Sequence, residues 1–276
     1  MNRDTGAKEI PIDNSLQHAE TVRRNAEGGA IAAAITLDTD WAPDFVIDEI
    51  AARLARREVR ATWFVTHPSP AIERLRRRPD LFELGIHPNF LSGSTQGASS
   101  LDVLRNCLET VPGATSMRTH ALVQSTPLLD MVMKQSSIAT DVSLFLPHME
   151  GVRPIEYWWQ GRMLLRVPYV WEDDFEMECP RPAWSVAAML ETPGVKIFDF
   201  HPIHVYLNSG DLNAYNTLKQ RAPRLQGARP DQAADLIATG SGAGSAFDEL
   251  LHALAAAGSR CISDFRVEYE LGGRSR

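Results

Sequence analysis

Cysteine is scarce in this sequence. Cys107, Cys179 and Cys261 stand far apart, form no CxxC pair and are odd in number, which argues against a disulfide framework and a thiolate zinc site. Positive charge is not in excess either. The 28 Lys and Arg against 35 Asp and Glu leave a formal charge of −7, the wrong sign for a surface that binds a nucleic-acid backbone. Two basic clusters, "RLARREVR" (53–60) and "RLRRRPD" (74–80), read as solvated helix faces or ends. No apolar run approaches the ~20 residues of a membrane span. The opening "MNRDTGAKEIPIDNSLQHAE" has no apolar signal-peptide core. These absences lead us to expect a cytoplasmic, reduced protein without nucleic-acid or membrane partners. Nothing in the sequence speaks to an oligomer.

What is present is a rhythm. After a polar, non-periodic lead-in over residues 1–28, "GAIAAAITLD" (29–38) reads as a buried strand. "APDFVIDEIAARLARREV" (42–59) follows with apolar residues at helical spacing, and Pro43 suits its first turn. The β-branched and aromatic "RATWFVTH" (60–67) is a second strand, and "AIERLRRRP" is a helix that Pro79 stops. "FELGIHPNF" (82–90) is a third strand, and "SLDVLRNCLETV" a helix capped by Ser99 or Ser100. "ATSMRTHAL", "IATDVSLFLPH", "MLLRVPYVWEDD" and "VKIFDFHPIHVYL" supply further strands, with helices "PLLDMVMKQ" and "AFDELLHALAAAG" among them. "EYWWQG" (156–161) reads as a hairpin or packing edge. The alternation predicts an α/β fold with a mainly parallel sheet, closed or nearly closed into a barrel. One domain over residues 29–276 is expected. A polar, Gly/Ser-punctuated excursion at 208–245 reads equally as a lid or a surface insertion.

In such a barrel the residues just past the strand C-termini converge on one face. Asp38, Asp40, His87, Arg118, His120, His148, His201 and His204 all occupy such positions. A single histidine there is usually structural; their recurrence at successive strand ends points to a site. Asp and His donors without cysteine suit zinc or another divalent first-row metal that keeps a position open for water. A spare carboxylate could then take the water's proton while a histidine protonates the leaving group. Capping of the helix near Pro43 explains one of the two aspartates in "DTDW", not both.

The ordered motifs "ITLDTDW", "ATWFVT", "ELGIH", "SMRTHAL" and "IFDFHPIH" resemble those of the polysaccharide deacetylases, the NodB-homology carbohydrate esterases of family 4. The resemblance runs over about residues 30–266 and extends to a closing helix and strand in "LLHALAAAGSRCISD". It implies a distorted (β/α) barrel of the NodB-homology type, in a divergent branch tied to O-antigen and other surface-polysaccharide assembly. Carried over by position, it makes Asp38 the general base, Asp40 and His87 metal ligands, Arg118 the partner that orients the base, and His201 the general acid. His204 stands just beyond the acid. The implied cofactor is a divalent metal, zinc before Co, Mn, Ni or Fe, and the implied substrate an acylated amino sugar.

Two departures stand out. Thr39 separates aspartates that are adjacent in the family, so the local geometry must differ from the family's or begin to turn. The family's second metal histidine falls four residues after the first, where this chain has Leu91. His120 is the replacement expected, before Asn89 or His148. Trp41, Asn89, Trp171, Asp173 and His204 are further candidates for contact with substrate. Trp171 and Tyr169 could stack on a sugar ring, though Trp171 suits core packing equally; Asp173 or Asp174 could bind hydroxyls or tune the acid histidine. The expected activity is metal-dependent removal of an N-acyl group, most simply acetyl. The alternatives are an allantoinase-like hydrolase of a small non-sugar amide and a non-catalytic glycan-binding barrel.

Overall fold

Period-two alternation in the first strand sets the architecture. In the computed structural model, which describes residues 32–273, β1 (Ala33–Asp38) sends Ala33, Ile35 and Leu37 into the core shared with the helices. Ala34 faces the other way, into a second apolar cluster, and Thr36 and Asp38 share that inner side. The lead-in at 1–28 lies outside the described residues.

The remaining strands are β2 (Ala61–Val65), β3 (Phe82–Ile86), β4 (Ser116–Met117), β5 (Thr140–Asp141), β6 (Ile155–Trp159), β7 (Arg162–Arg166), β8 (Trp171–Glu172) and β9 (Lys196–Phe200). They form one sheet in the order β6-β7-β5-β4-β3-β2-β1-β9-β8. Neighbours are parallel except in the β6–β7 hairpin, which is the "EYWWQG" segment. β7 and β8 belong to one stretch of chain that bends around Pro168. Val167 N donates to Asp141 O at 2.9 Å and Tyr169 N to Leu144 O at 3.0 Å, while Val170 N donates to Ile197 O at 3.0 Å. The stretch thus joins β5 on one side to β9 on the other, and the sheet curls into the expected distorted barrel.

Helices α1 (Asp44–Arg56), α2 (Pro70–Arg76), α3 (Ser100–Thr110) and α4 (Thr126–Gln135) cross over outside. In α1 the buried Val46, Ile47, Ile50 and Leu54 form one stripe, each worth roughly 1.5–3 kcal/mol of burial. Ser99, rather than Ser100, caps α3 in a reciprocal capping box with Asp102. Gly85 in β3 is demanded by the lumen: a Cβ there would stand 2.7 Å from the Phe64 ring and 2.7 Å from Ser116 Oγ.

Toward the C-terminus come α5 (Asp173–Glu178), α6 (Pro202–Leu207), α7 (Asn213–Arg221), α8 (Pro230–Ala233), α9 (Ala243–Ala257) and α10 (Ile262–Gly273). The final segment departs from the expected closing strand. Only Arg260 bridges to β1, at Ala34, and the chain then turns helical. Ile262 and Phe265, spaced for a helix and not a strand, join Ala34, Phe64, Val142 and Ile197 in the inner apolar cluster. Among the described residues no helix is long and apolar enough to cross a membrane.

Candidate active site

Asp38 ends β1, and Thr39 N still pairs with Phe64 O at 3.0 Å. The chain then turns sharply: Asp40 and Trp41 both take left-handed conformations, at φ 38° and 56°. Thr39 fixes the turn by accepting from Thr66 N at 2.9 Å and meeting Thr66 Oγ1 at 2.9 Å. The two carboxylates therefore end on either side of one imidazole. His87 Nδ1 lies 3.5 Å from Asp38 Oδ2, and its Nε2 lies 3.2 Å from Asp40 Oδ1.

His120 completes a triangle. Its backbone N donates to Pro88 O at 3.0 Å, tying its loop to the residue after His87, and left-handed Ala121 and Leu122 turn the chain away. His120 Nδ1 stands 3.3 Å from Asp40 Oδ1 and 3.3 Å from His87 Nε2. Separations of 3.2–3.3 Å match the ~3.3–3.4 Å edge of a tetrahedron whose ligands stand ~2.0–2.1 Å from its centre. Asp40 Oδ1 is buried, and neither contact gives it hydrogen-bond geometry. Burial opposes ionisation of Asp40, yet His120 and His87 hold its pKa well below the ordinary carboxylate value. An ionised oxygen lacking a donor, facing two imidazole nitrogens, fits a divalent cation. Leu91, at the position of the family's second histidine, is 46% exposed in the loop outside.

Two other acid–histidine clusters share His201: one with Asp38 and Asp199, one with Glu172 and Asp174. The first already holds a cation, the guanidinium of Arg118. Arg118 Nη1 donates to Asp38 Oδ1 at 2.9 Å and to Asp199 Oδ1; Nη2 donates to Thr36 Oγ1 at 2.9 Å and Nε to Val142 O at 3.2 Å. The rings of Phe64 and Tyr169 lie against it, centroids 4.9 and 4.4 Å away. Burial raises the Asp199 pKa well above its ordinary value, against Arg118 and with the help of Asp38. Two buried carboxylates share one guanidinium nitrogen, and Asp199 is the one pushed toward the neutral form.

His201 stands at the end of β9 and faces Asp40 Oδ2 across 3.7 Å with its Nε2. Its Nδ1 is 2.7 Å from Asp173 Oδ1, and Asp173 Oδ2 accepts from His201 N at 2.9 Å. Burial would depress the imidazole; the carboxylates of Asp174, Asp173 and Asp40 overcome this and raise its pKa well above the ordinary value. Asp173 is fully buried and committed to His201, so it has no oxygen free for a sugar hydroxyl. His204 is likewise buried, its Nε2 3.0 Å from Asp174 Oδ1 and its Nδ1 3.2 Å from Ser209 Oγ.

A cleft of about 930 Å³ opens on Asp40. Trp41 and Asn89 line it, and Trp41 meets His120 edge-on at 5.4 Å. Trp171 does not: it is 0% exposed, packed against Phe200, Phe198 and Trp184, with Nε1 donating to Ala183 O at 3.0 Å. The alternation of β8 turns this ring into the core, so it has no free face for a sugar. Tyr169 is buried too, stacked on Phe145 at 4.5 Å. His148 is committed to Glu176. The 208–245 excursion supplies one wall of the cleft through Tyr215, Lys219 and residues 223–226.

This arrangement of carboxylates and histidines accords with the comparisons to known proteins. The family model described as "WbmS-like: Polysaccharide deacetylase" matches residues 35–219. The chain belongs to the WbmS-like polysaccharide deacetylases. Deacetylation of a sugar, a hydrolysis at a carbon–nitrogen amide bond, is the chemistry that membership carries. A crystal structure from Bordetella bronchiseptica, of a candidate polysaccharide deacetylase involved in O-antigen biosynthesis, is 32% identical, with a TM-score of 0.67 over 83% of this chain and 93% of that one. The peptidoglycan deacetylase PdaC from Bacillus subtilis is 14% identical, with a TM-score of 0.44 over 89% and 95% of the two chains. A family 4 acetyl xylan esterase from Clostridium thermocellum, in complex with cobalt, is 14% identical, with a TM-score of 0.41 over 83% and 86%. No curated protein matches the chain significantly.

Within this family member several site residues escaped the sequence reading. Asp199 carried a signal: in "IFDFH" it alternates onto the face of His201. Gln96 carried none. It lies in a loop, yet it is buried and clamps the His87 turn, donating to Thr66 O at 2.8 Å and His87 O at 3.0 Å and accepting from Asn89 N at 2.6 Å. His67, at the end of β2, lines the cleft with Nδ1 2.9 Å from Thr66 Oγ1.

Proposed function

We propose that this deacetylase is a metal-dependent amidohydrolase that removes an N-acyl group, acetyl in the simplest case, from an amino sugar or sugar-containing precursor. The observation that carries the reading is the triangle of Asp40 Oδ1, His87 Nε2 and His120 Nδ1, three donors 3.2–3.3 Å apart around an unsatisfied buried oxygen. Zinc is the cation that this donor set and spacing favour, ahead of Co, Mn, Ni or Fe. Bound there, it would polarise the acyl carbonyl and acidify water.

The chain's own residues divide the proton work. Asp38 is the base: Arg118 holds its Oδ1 at 2.9 Å and aims the carboxylate. With Asp199 toward its neutral form, the guanidinium serves one negative partner, and Asp38 is left to take a proton from water at its other oxygen. His201 is the acid. Asp173 at 2.7 Å holds Nδ1, so the proton to be donated sits on Nε2, which faces Asp40 and the cleft. Nε2 delivers that proton to the departing amine as the carbon–nitrogen bond breaks. Trp41 and Asn89 line the cleft beside the metal ligands and bear on the sugar.

The O-antigen role of the Bordetella relative favours a surface-polysaccharide precursor as substrate. The test combines metal analysis with turnover. Purified protein is expected to carry a stoichiometric divalent ion and to release acetate from N-acetylated sugars. Asp40→Ala and His87→Ala are each expected to lose ion and activity together. Full activity in a metal-free preparation would sink the mechanism. Hydrolysis of cyclic amides, with acetylated sugars untouched, would instead favour an allantoinase-like reaction.

A further inference from the structure

The cleft is larger and differently charged than a neutral amino sugar requires. Its volume of about 930 Å³ stands at the upper end of the roughly 300–1,000 Å³ of small-molecule sites, so the sugar bearing the amide leaves space beside it. Of the residues that line the cleft, Asp40 and Glu109 are acidic. On the wall formed by α7 and the turn after it stand two cations, Lys219 and Arg224.

The neighbouring arginines are paired. Arg221, two residues after Lys219 and three before Arg224, is held by Asp235 at 2.6 Å, and Arg229 by Asp231 at 2.9 Å. Among the described residues neither Lys219 nor Arg224 meets a carboxylate within ion-pair distance. Lys219 is instead poised over the Tyr215 ring, its Nζ 5.2 Å from the centroid, and Tyr215 also lines the cleft. The single acidic group on the opposing wall, Glu109, belongs to α3. Cations without an acidic partner on the wall of a cleft have a use when the ligand carries negative charge away from the reacting amide.

We propose that Lys219 and Arg224 take an anionic group of the substrate, a phosphate or a carboxylate joined to the amino sugar. A nucleoside diphosphate on the anomeric carbon and a uronate carboxyl both present that chemistry. The inference takes the deacetylase reading for the rest of the substrate, but its test needs no turnover. Calorimetric titration of the wild-type protein with UDP, and separately with galacturonate, is expected to show binding of at least one. The exposed double variant K219A/R224A is expected to weaken that binding by about 10-fold or more, since each lost charge-assisted hydrogen bond is worth close to a factor of ten. UDP alone would identify a phosphate, galacturonate alone a carboxylate. Failure of both to bind, or binding unchanged in the variant, overturns the proposal. Loss of UDP binding in the variant, with no acetylated sugar ever hydrolysed, would leave this site standing and remove the proposed reaction. With a good substrate the double variant is expected to raise KM about 10-fold or more and leave kcat within ~2-fold.

Discussion

Two pairs of histidines stand at the strand ends, and what stands behind each ring separates them. His87 and His120, with ring centroids 5.3 Å apart, have Asp40 between them; Asp38 Oδ2 stands behind His87 Nδ1 at 3.5 Å, without hydrogen-bond geometry. His201 and His204, with centroids 5.7 Å apart, are each backed by an aspartate, Asp173 at 2.7 Å and Asp174 at 3.0 Å. A metal ligand must offer a lone pair and a general acid must keep a proton. The same side chain serves either purpose, and its neighbours choose.

That comparison can be broken experimentally. The largest effect is expected at His120. His120→Ala removes one of three donors, and bound divalent ion and activity should fall together to background in metal analysis and acetate release. His204→Ala should keep its ion. Removing the backing of the acid comes next. Asp173→Asn should retain the ion and lower kcat by about 10²–10⁴-fold, the usual worth of a positioned general acid. If Asp173→Asn lost the ion instead, the two halves would not be separate.

The carboxylates on Arg118 offer a finer contrast. Asp38→Asn removes the base and should cost at least ~10²-fold in kcat. Asp199→Asn replaces a group already pushed toward its neutral form, and should stay within ~10-fold. Equal losses would mean that Arg118 needs both charges. The smallest effect concerns Glu172, whose pKa burial raises from 4.5 to about 7, against His201 and with the help of Asp174. The folded protein thus holds this proton more tightly than the unfolded chain. The stabilisation is complete below about pH 4.5 and fades as pH climbs to about 7. Relative to Glu172→Gln, the wild type should lose Tm as pH rises across that window, measured by calorimetry.

Much of this was legible in the sequence, for stated reasons. The strand–helix rhythm predicted a parallel barrel because each strand carries its own alternation, and the residues that cluster at the strand ends could be picked out because parallel strands deliver their ends to one face. His120 was the replacement expected for the histidine missing at position 91, two residues past Arg118, and its Nδ1 stands 3.3 Å from Asp40 Oδ1. The misreadings share a cause. Trp171 lies two residues before Asp173, but β8 ends at Glu172 and the chain turns helical at Asp173, so the tryptophan packs in the core while the aspartate reaches His201. The closing segment was read with strand character, though Ile262 and Phe265 have helical spacing. Gln96 lies in a loop without periodicity, and only the folded chain reveals that it carries the His87 turn.

The bend at Pro168 also governs how the molecule can come apart. The barrel is sealed where Tyr169 and Val170 pair with both of its flanks, and three residues later the same segment delivers Asp173 to His201. A breath at that seam would withdraw the acid's partner while the trio from β1, β3 and β4 stays whole. A closure of the barrel and the support of His201 are one piece of chain, so local opening there would draw Asp173 from His201 before it disturbed Asp40, His87 and His120.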